Sequence, residues 1–305
     1  MLNSTTTPSA KRAGLRAALR GDGLLRFPGA FNPLSAKLVE RHGFEGVYVS
    51  GAVLAADLGL PDIGLTTLTE VASRSAQIAR ATDLPVLVDA DTGFGEPLNV
   101  ARTVQTLEDA GVAGLHVEDQ VNPKRCGHLE GKAVVDGETA LRRVRAAVDA
   151  RRDGDFLVVA RTDVRGTIPG RPGLEAALTR AKQFADAGAD AVFAEAMADL
   201  AEFEAVCSAL DVPVLANMTE FGRSDLFTHE QLRDAGVRIV IHPVSLLRLA
   251  MGAADRALGE LAAAGTLEGK VPEMQTRAQL YDLVDYAGYS VFDSGIHDFS
   301  LEGNR

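Results

Sequence analysis

The chain has 305 residues, 46% of them hydrophobic and 24% charged, which is enough apolar content to bury one large core. Its formal net charge of −11, from 31 basic and 42 acidic side chains, argues against binding to nucleic acid or to an anionic membrane surface. Cys126 and Cys207 are the only cysteines, so a disulfide framework is excluded and a reducing cytoplasm is the expected location. Every long apolar run is interrupted by polar residues, as His242 and Arg248 interrupt 239–254, so no membrane span is expected.

Short β-rich runs bounded by Gly or Pro recur at roughly thirty-residue spacing, with helical apolar periodicity between them. The predicted strands are Leu25 to Phe31, Gly46 to Ser50, Pro85 to Ala90, Gly114 to Glu118, Phe156 to Arg161, Ala191 to Glu195, Pro213 to Asn217 and Arg238 to His242. The intervening helices end on glycines, which favour the left-handed backbone that follows a helix. Residues 1–20 form a leading tail and helix, and 244–305 form C-terminal helices.

Eight alternations of strand and helix predict an α/β fold, a (β/α)₈ TIM barrel that fills a single domain over residues 1–305. A doubly wound open sheet is the alternative, but it would need a glycine-rich phosphate turn after its first strand. The sequence has Phe31-Asn32-Pro33 there instead. The C-terminal extension is longer than one barrel helix requires, which indicates a role in assembly.

Polar residues stand at the end of nearly every predicted strand, where barrel enzymes place their chemistry. The strand ends are Ser50-Gly51, Asp89-Ala90-Asp91, His116-Val117-Glu118, Arg161-Thr162-Asp163, Glu195, Asn217-Met218-Thr219 and His242. A helix N-cap explains any single Ser, Thr, Asp or Asn at such a position. Because Arg, Glu and His are poor caps, the whole set indicates an active site.

Three carboxylates are candidates for metal binding. Asp89 and Asp91 are two residues apart on one predicted strand and so point the same way, while Glu118 ends the next strand. We therefore expect three hard oxygen ligands to converge. Such a cluster, without Cys or His, favours Mg²⁺ or Mn²⁺ over Zn²⁺.

The loop after the fourth strand carries Lys124-Arg125-Cys126-Gly127-His128, which puts two cations, a thiol and an imidazole within five residues. Neighbouring cations lower the pKa of a thiol, so Cys126 is a candidate reactive residue. A solvated basic loop with an incidental cysteine is the simpler alternative. The length of the loop and its glycine are typical of a lid that closes over a substrate.

With these motifs and the flanking segments 88–95 and 114–120, the sequence resembles the isocitrate lyase and phosphoenolpyruvate mutase superfamily. Within it, the 2-methylisocitrate lyases are the most similar family, and the resemblance runs from about Phe27 to Tyr286. The resemblance implies a barrel whose last helix is exchanged within a homotetramer. It also implies a Mg²⁺-dependent lyase that cleaves 2-methylisocitrate to pyruvate and succinate in the methylcitrate cycle of propionate catabolism.

The resemblance also assigns roles to individual residues. Asp89 and Asp91 would hold Mg²⁺, and the substrate-binding residues would be Ser50, Gly51, Ala52, Cys126, Gly127, Arg161, Glu195, Asn217, Thr219, Arg248 and Arg277. Three arginines suit three carboxylates. The sequence departs from the family at Ala52, where a second glycine is usual, at Ala194, where proline is usual, and in an insertion from Arg165 to Gly173.

The implied mechanism needs a base and an acid. Tyr48 assisted by Arg161 is one candidate base and Glu118 is the other, and the sequence does not decide between them. Cys126 is the candidate acid that protonates the succinate carbanion. Lys124 and His128 are the residues that would control the protonation state of its thiol.

Several functional alternatives remain at this point. Isocitrate lyase, 2,3-dimethylmalate lyase and oxaloacetate decarboxylase belong to the same superfamily, although the loop 124–128 counts against a decarboxylase or a mutase. A non-catalytic barrel that binds carboxylates is the remote alternative, since a fold does not guarantee a function.

Overall fold

The computed structural model describes residues 4–125, 127, 131–222 and 224–299. Eight parallel strands form one sheet in the order β1-β8-β7-β6-β5-β4-β3-β2. Between β1 and β2, a parallel bridge joins Gly29 to Tyr48, and the Ala30 N–H donates to the Tyr48 carbonyl over 2.9 Å. The sheet therefore closes on itself, and the predicted (β/α)₈ barrel is confirmed.

The strands lie within a few residues of their predicted positions. They are β1 (Leu25–Pro28), β2 (Val47–Val49), β3 (Val86–Asp89), β4 (Gly114–Glu118), β5 (Leu157–Thr162), β6 (Ala191–Ala194), β7 (Val214–Asn217) and β8 (Ile239–His242). The first strand was predicted to reach Phe31, and this was wrong. Asn32 and Ser35 form a capping box that begins the next helix, so the backbone leaves the sheet before Phe31.

Helices surround the barrel and continue beyond it. They are α1 (Pro8–Arg20), α2 (Pro33–Arg41), α3 (Gly51–Asp57), α4 (Leu68–Ala81), α5 (Pro97–Asp109), α6 (Gly137–Ala150), α7 (Val164–Thr167), α8 (Gly170–Asp186), α9 (Leu200–Ser208), α10 (His229–Asp234), α11 (Ser245–Ala264), α12 (Arg277–Leu283) and α13 (Tyr286–His297). A 3₁₀ helix spans Glu268–Glu273. Among the described residues, no helix combines the length and apolar content that crossing a membrane requires.

The barrel interior is packed with side chains that alternate along the strands. Phe27, Leu87, Leu157 and Phe193 belong to one buried cluster, which Leu15 of α1 joins. Three further clusters lie between the strands and the outer helices. The packed interior leaves the carboxyl ends of the strands as the place for a cavity.

Helix α1 is anchored to the barrel through its basic residues. Lys11 Nζ donates to the carbonyls of Ala79 and Thr82 over 2.8 and 2.5 Å. The Arg12 guanidinium donates to the carbonyls of Val112 and Glu108 over 2.9 and 2.6 Å. The basic amino-terminal segment is therefore a structural part of the barrel.

Candidate active site

A cavity of about 340 Å³ opens where the strands end. Most of the predicted substrate residues that the structure describes line it. The lining residues are Tyr48, Ser50, Ala52, Asp62, Asp89, Lys124, Arg125, Gly127, Arg161, Phe193, Glu195, Asn217, Thr219, Glu220, Phe221, Gly222, Ile241, Pro243, Val244 and Arg248.

Asp89 and Asp91 border one small space beside Gly51. A side-chain carbon at Gly51 would lie 3.0 Å from Asp89 Oδ2 and 3.2 Å from Asp91 Oδ1, so only glycine leaves that space open. The Gly51 N–H donates to Asp89 Oδ2 over 3.1 Å, and the Asp91 N–H donates to Asp89 Oδ1 over 3.0 Å. These backbone donors fix the Asp89 carboxylate.

The two acids meet for a different reason from the one predicted. Strand β3 ends at Asp89, and Asp91 follows in the left-handed region with φ of 47°. A turn therefore brings the two carboxylates together, and strand alternation does not. The expectation that Glu118 completes a cluster of three is also wrong for the described residues, among which no group of three His, Cys, Asp or Glu could hold a metal ion.

Glu118 instead belongs to a buried cluster around Arg161. Arg161 Nε lies 3.3 Å from Glu118 Oε2 and donates to Asp163 Oδ2 over 2.9 Å, while its Nη2 lies 3.4 Å from Glu195 Oε2. The guanidinium also lies over the Phe193 ring, 5.0 Å from its centroid. Arg161 is thus held on three sides by carboxylates, with its remaining surface towards the cavity.

Lys124 ties the loop after β4 to Asp91 and Asp62. Its ammonium lies 2.7 Å from Asp91 Oδ1 and donates to Asp62 Oδ1 over 2.5 Å. Burial lowers the pKa of Lys124, but the charges of Asp91 and Asp89 outweigh this effect and leave the pKa well above its ordinary value. Burial has the opposite effect on Asp91 and raises its pKa to about 6, although the charge of Lys124 lowers it.

Tyr48 is fully enclosed beside His116. The phenol oxygen lies 2.6 Å from His116 Nε2, and the two rings stack. Burial, together with the charge of Asp89, raises the pKa of Tyr48 well above 10.0. Burial also lowers the pKa of His116 to about 4, so the imidazole is neutral at neutral pH.

The far side of the cavity is built by β6, β7 and the start of α11. Glu195 accepts a bond from Asn217 Nδ2 over 3.2 Å. Arg248 Nη1 donates to Thr219 Oγ1 over 3.1 Å and lies 3.0 Å from Glu220 Oε2. Arg248 therefore lines the cavity beside Thr219 and Glu220.

Some predicted site residues lie elsewhere. Cys126 and His128 lie outside the described residues, so their predicted roles stay predictions. Arg277 begins α12 and is exposed, and it is not among the residues that line the cavity. His242 ends β8 but points away from the cavity, where its Nε2 lies 3.0 Å from His229 Nε2.

Sequence reasoning gave no role to two acids that shape the site. Asp62 pairs with Lys124, and Asp163 receives two bonds from Arg161. Asp163 stands two residues after Arg161 at the end of β5, so its presence in the strand-end set was a usable signal. Asp62 lies in a loop more than sixty residues before its partner in the chain, and no local pattern indicates that contact.

Comparison with known proteins places this geometry in a family. The family model described as phosphoenolpyruvate phosphomutase matches residues 15–262. A probable 2-methylisocitrate lyase 2 of Corynebacterium glutamicum is 56% identical over all of this chain and 98% of its own length. A 2-methylisocitrate lyase of Escherichia coli K12 is 44% identical over 90% of this chain and 92% of its own. This chain belongs to the 2-methylisocitrate lyases of the phosphoenolpyruvate mutase and isocitrate lyase superfamily.

Solved structures of the same superfamily agree with this membership. Oxaloacetate acetylhydrolase in complex with 3,3-difluorooxalacetate superposes with a TM-score of 0.89 at 33% identity, covering 97% of this chain and 100% of that chain. Phosphonopyruvate hydrolase in complex with oxalate and Mg²⁺ gives a TM-score of 0.83 at 27% identity, covering 93% and 98%. Members of this lyase superfamily depend on a divalent metal.

Proposed function

We propose that this protein is a carbon–carbon lyase that cleaves 2-methylisocitrate to pyruvate and succinate. The near full-length identity to curated 2-methylisocitrate lyases supports the proposal. The structural observation that carries it is the cavity itself, which Arg161 and Arg248 line together with the carboxylate of Asp89. Two arginines in one cavity suit a substrate with several carboxylates, because a guanidinium binds a carboxylate through two parallel hydrogen bonds.

The residues around Gly51 fit a bound Mg²⁺. Asp89 and Asp91 supply hard oxygen atoms on both sides of a space that a single side-chain carbon would fill. Bound Mg²⁺ would supply a Lewis acid for the substrate's hydroxyl and carboxylate groups. Mn²⁺ is the alternative metal, since its ligand preferences are similar.

Tyr48 is our candidate for the base that removes the substrate's hydroxyl proton. Its side chain lines the cavity, whereas Glu118 is not among the lining residues and faces Arg161. The raised pKa of Tyr48 keeps the phenol protonated at neutral pH, so the positive charge of Arg161 is needed to favour the phenolate. Glu118 remains the rival, because burial raises its pKa and makes its carboxylate a stronger base.

Arg161 and Arg248 would bind the substrate's carboxylates, together with Ser50, Asn217, Thr219 and the backbone at positions 51 and 127. Arg277 is proposed as the third arginine, by resemblance. Phe193, Ile241 and Val244 give the cavity an apolar wall that suits the substrate's methyl group. Such a contact contributes only about 1–3 kcal/mol to discrimination against isocitrate.

Cys126 is proposed as the acid that protonates the departing succinate carbanion, assisted by Lys124 and His128. Support comes from the family sequence of the loop 124–128 and from Lys124, which brings a buried ammonium to the edge of the cavity. A positioned general acid is typically worth about 10²–10⁴-fold in rate.

The assembly is proposed to be a homotetramer with exchanged C-terminal helices. Helices α11 and α13 bury no residue within this chain. The apolar side chains that they expose include Leu249, Met251, Leu258, Val291, Phe292 and Ile296. Since a soluble monomer rarely exposes so much contiguous apolar surface, a second copy is the proposed partner. The proposed setting is the methylcitrate cycle of propionate catabolism in the cytoplasm.

The proposal is tested with the purified full chain, 2-methylisocitrate and Mg²⁺. Pyruvate is followed through lactate dehydrogenase, and succinate is identified by NMR. We expect the two products in equal amounts, with loss of turnover after chelation of the metal and recovery when Mg²⁺ is added back. Asp91→Asn should be inactive, while the exposed matched control Asp211→Asn should be fully active. Failure to form either product would refute the proposed function.

A further inference from the structure

Lys132 lies in the segment that returns from the loop after β4, close to the cavity. The Val121 N–H donates to the Ala133 carbonyl and the Val135 N–H donates to the Asp119 carbonyl, each over 2.8 Å. These bonds pair residues 119–121 with 133–135 in an antiparallel bridge. The backbone next to Lys132 is therefore fixed to the end of β4.

The side chain of Lys132 runs inward from this anchor and is 1% exposed. Its ammonium lies 2.7 Å from Asp163 Oδ1 and 2.5 Å from the Gly127 carbonyl oxygen, to which it donates. A side-chain carbon at Gly166 would lie 2.5 Å from Lys132 Nζ and 2.6 Å from Cε. Glycine at position 166 thus provides the space that Lys132 occupies.

Both partners of Lys132 contact the substrate-binding machinery. A side-chain carbon at Gly127 would lie 2.4 Å from Arg161 Nη2 and 2.6 Å from Glu195 Cγ, so the backbone at 127 lies directly against these two side chains. Asp163 accepts from Arg161 Nε over 2.9 Å and from Arg161 Nη2 over 3.2 Å. One ammonium therefore joins the loop backbone to the carboxylate that orients Arg161.

Lys132 also compensates negative charge among the carboxylates that surround Arg161. The carboxylates of Glu118, Asp163 and Glu195 surround the Arg161 guanidinium, and Lys132 is the second cation in contact with Asp163. Without Lys132, Asp163 would depend on Arg161 alone for compensation of its buried charge. The guanidinium would then be drawn towards Asp163 and away from a substrate carboxylate.

We propose that Lys132 is a positioning residue of the lyase: its ammonium holds the backbone at 127 and the Asp163 carboxylate so that Arg161 faces the cavity correctly. This inference rests on the proposed function, because it assigns the effect to the reaction in that cavity. Lys132 is not among the residues that line the cavity, so we assign its effect to its two partners.

Two variants test the proposal by different routes. Lys132→Met removes the ammonium with little change in length, and Gly166→Ala keeps the ammonium but occupies its space. Both should lower kcat by about ten- to a hundredfold, since small displacements of positioning groups cost up to about 10²-fold. Both should also speed amide hydrogen exchange in the peptide that carries Arg125 and Gly127.

Lys11→Met is the matched control, because Lys11 is a buried lysine outside the cavity whose ammonium also donates to backbone carbonyls. Its kcat should stay within about twofold of wild type.

If Lys132 only stabilised the fold, the two variants would unfold at a lower temperature, but the folded enzymes would keep the wild-type kcat. Unchanged kcat in a folded Lys132→Met or Gly166→Ala variant would overturn the proposal, and so would unchanged exchange in that peptide. If Lys132→Met does not fold, Gly166→Ala decides alone. If the wild-type enzyme fails to cleave 2-methylisocitrate, the proposed function is refuted, while the exchange measurement still decides whether Lys132 holds the backbone at 127.

Discussion

The hydroxyl of Tyr48 occupies a position where its proton is hard to remove without help. It is buried, and His116 Nε2 lies 2.6 Å away. His116 Nδ1 has no hydrogen-bond partner among the described residues, which favours the tautomer with the proton on Nε2, since an unpaired buried N–H is costly. In that tautomer Nε2–H donates to the phenol oxygen, and such a bond stabilises a phenolate.

Replacing each candidate base separately decides between them. Tyr48→Phe should lower kcat by about 10²–10⁴-fold and leave product binding nearly unchanged, because the ring remains and only the hydroxyl is lost. Glu118→Gln should have the smaller effect. Tyr281→Phe, which alters a tyrosine that is 42% exposed on α12, is the control. The base assignment fails if Glu118→Gln loses more activity than Tyr48→Phe.

The pKa of Asp91 gives a pH dependence for metal binding. Burial raises this pKa to about 6, so the carboxyl takes up a proton as the pH falls through 6. A protonated carboxyl is a poor ligand, and the proton therefore competes with the metal. The apparent Kd for Mg²⁺, measured by calorimetry, should be nearly constant above about pH 7 and rise roughly fivefold between pH 6 and 5. A Kd that stays flat from pH 7 to 5 would contradict this assignment.

Hydrophobic runs and the glycines that end the helices were enough to predict all eight strands and the barrel. The predicted segments missed details that depend on tertiary contacts. The left-handed turn at Asp91 and the outward direction of His242 arise from how neighbouring segments pack. The strand-end rule found the cavity because parallel strands bring their carboxyl ends to one edge. The same rule did not predict the role of Lys132, because this residue is not at a strand end and contacts Asp163, which is 31 residues away in the sequence.

Closure of the barrel depends on a close approach between β1 and the segment after β8. A side-chain carbon at Gly29 would lie 2.0 Å from the Pro243 carbonyl oxygen, which is part of the backbone and cannot rotate away. Gly29→Ala should lower the free energy of unfolding by about 1–3 kcal/mol, the usual cost of overpacking. Gly154→Ala is the control, since its added carbon would meet nothing within 4 Å. Equal midpoints of urea unfolding for the two variants would show that the contact does not limit closure.

The C-terminal helices continue beyond the barrel and expose apolar side chains. On α13 and just after it, Tyr289, Phe292, Ile296 and Phe299 recur at helical spacing and are all more than 40% exposed. The sequence predicted that this extension serves assembly, because it is longer than one barrel helix. The number of subunits was implied by resemblance alone and stays a prediction.

Changing one residue of that apolar face tests the assembly. Phe292→Glu places a charge on the apolar face of α13 and should shift the molecular mass, measured by light scattering, from that of a tetramer to that of a smaller species. Ser290→Glu adds the same charge two residues away, outside the apolar face, and this variant should still form a tetramer. Truncation after residue 265 should have the effect of Phe292→Glu. A truncated chain, or a Phe292→Glu variant, that remains tetrameric would contradict the proposed role of these helices.

Substrate preference is tested by comparing kcat/KM for 2-methylisocitrate, isocitrate, 2,3-dimethylmalate and oxaloacetate at saturating Mg²⁺. The two arginines that line the cavity suit a polycarboxylate, and the apolar side chains of Phe193, Ile241 and Val244 suit its methyl group. We predict the highest kcat/KM for 2-methylisocitrate, with isocitrate lower by about 10–200-fold, the range that one methyl group provides. A higher kcat/KM for any of the other three substrates would show that 2-methylisocitrate is not the preferred substrate.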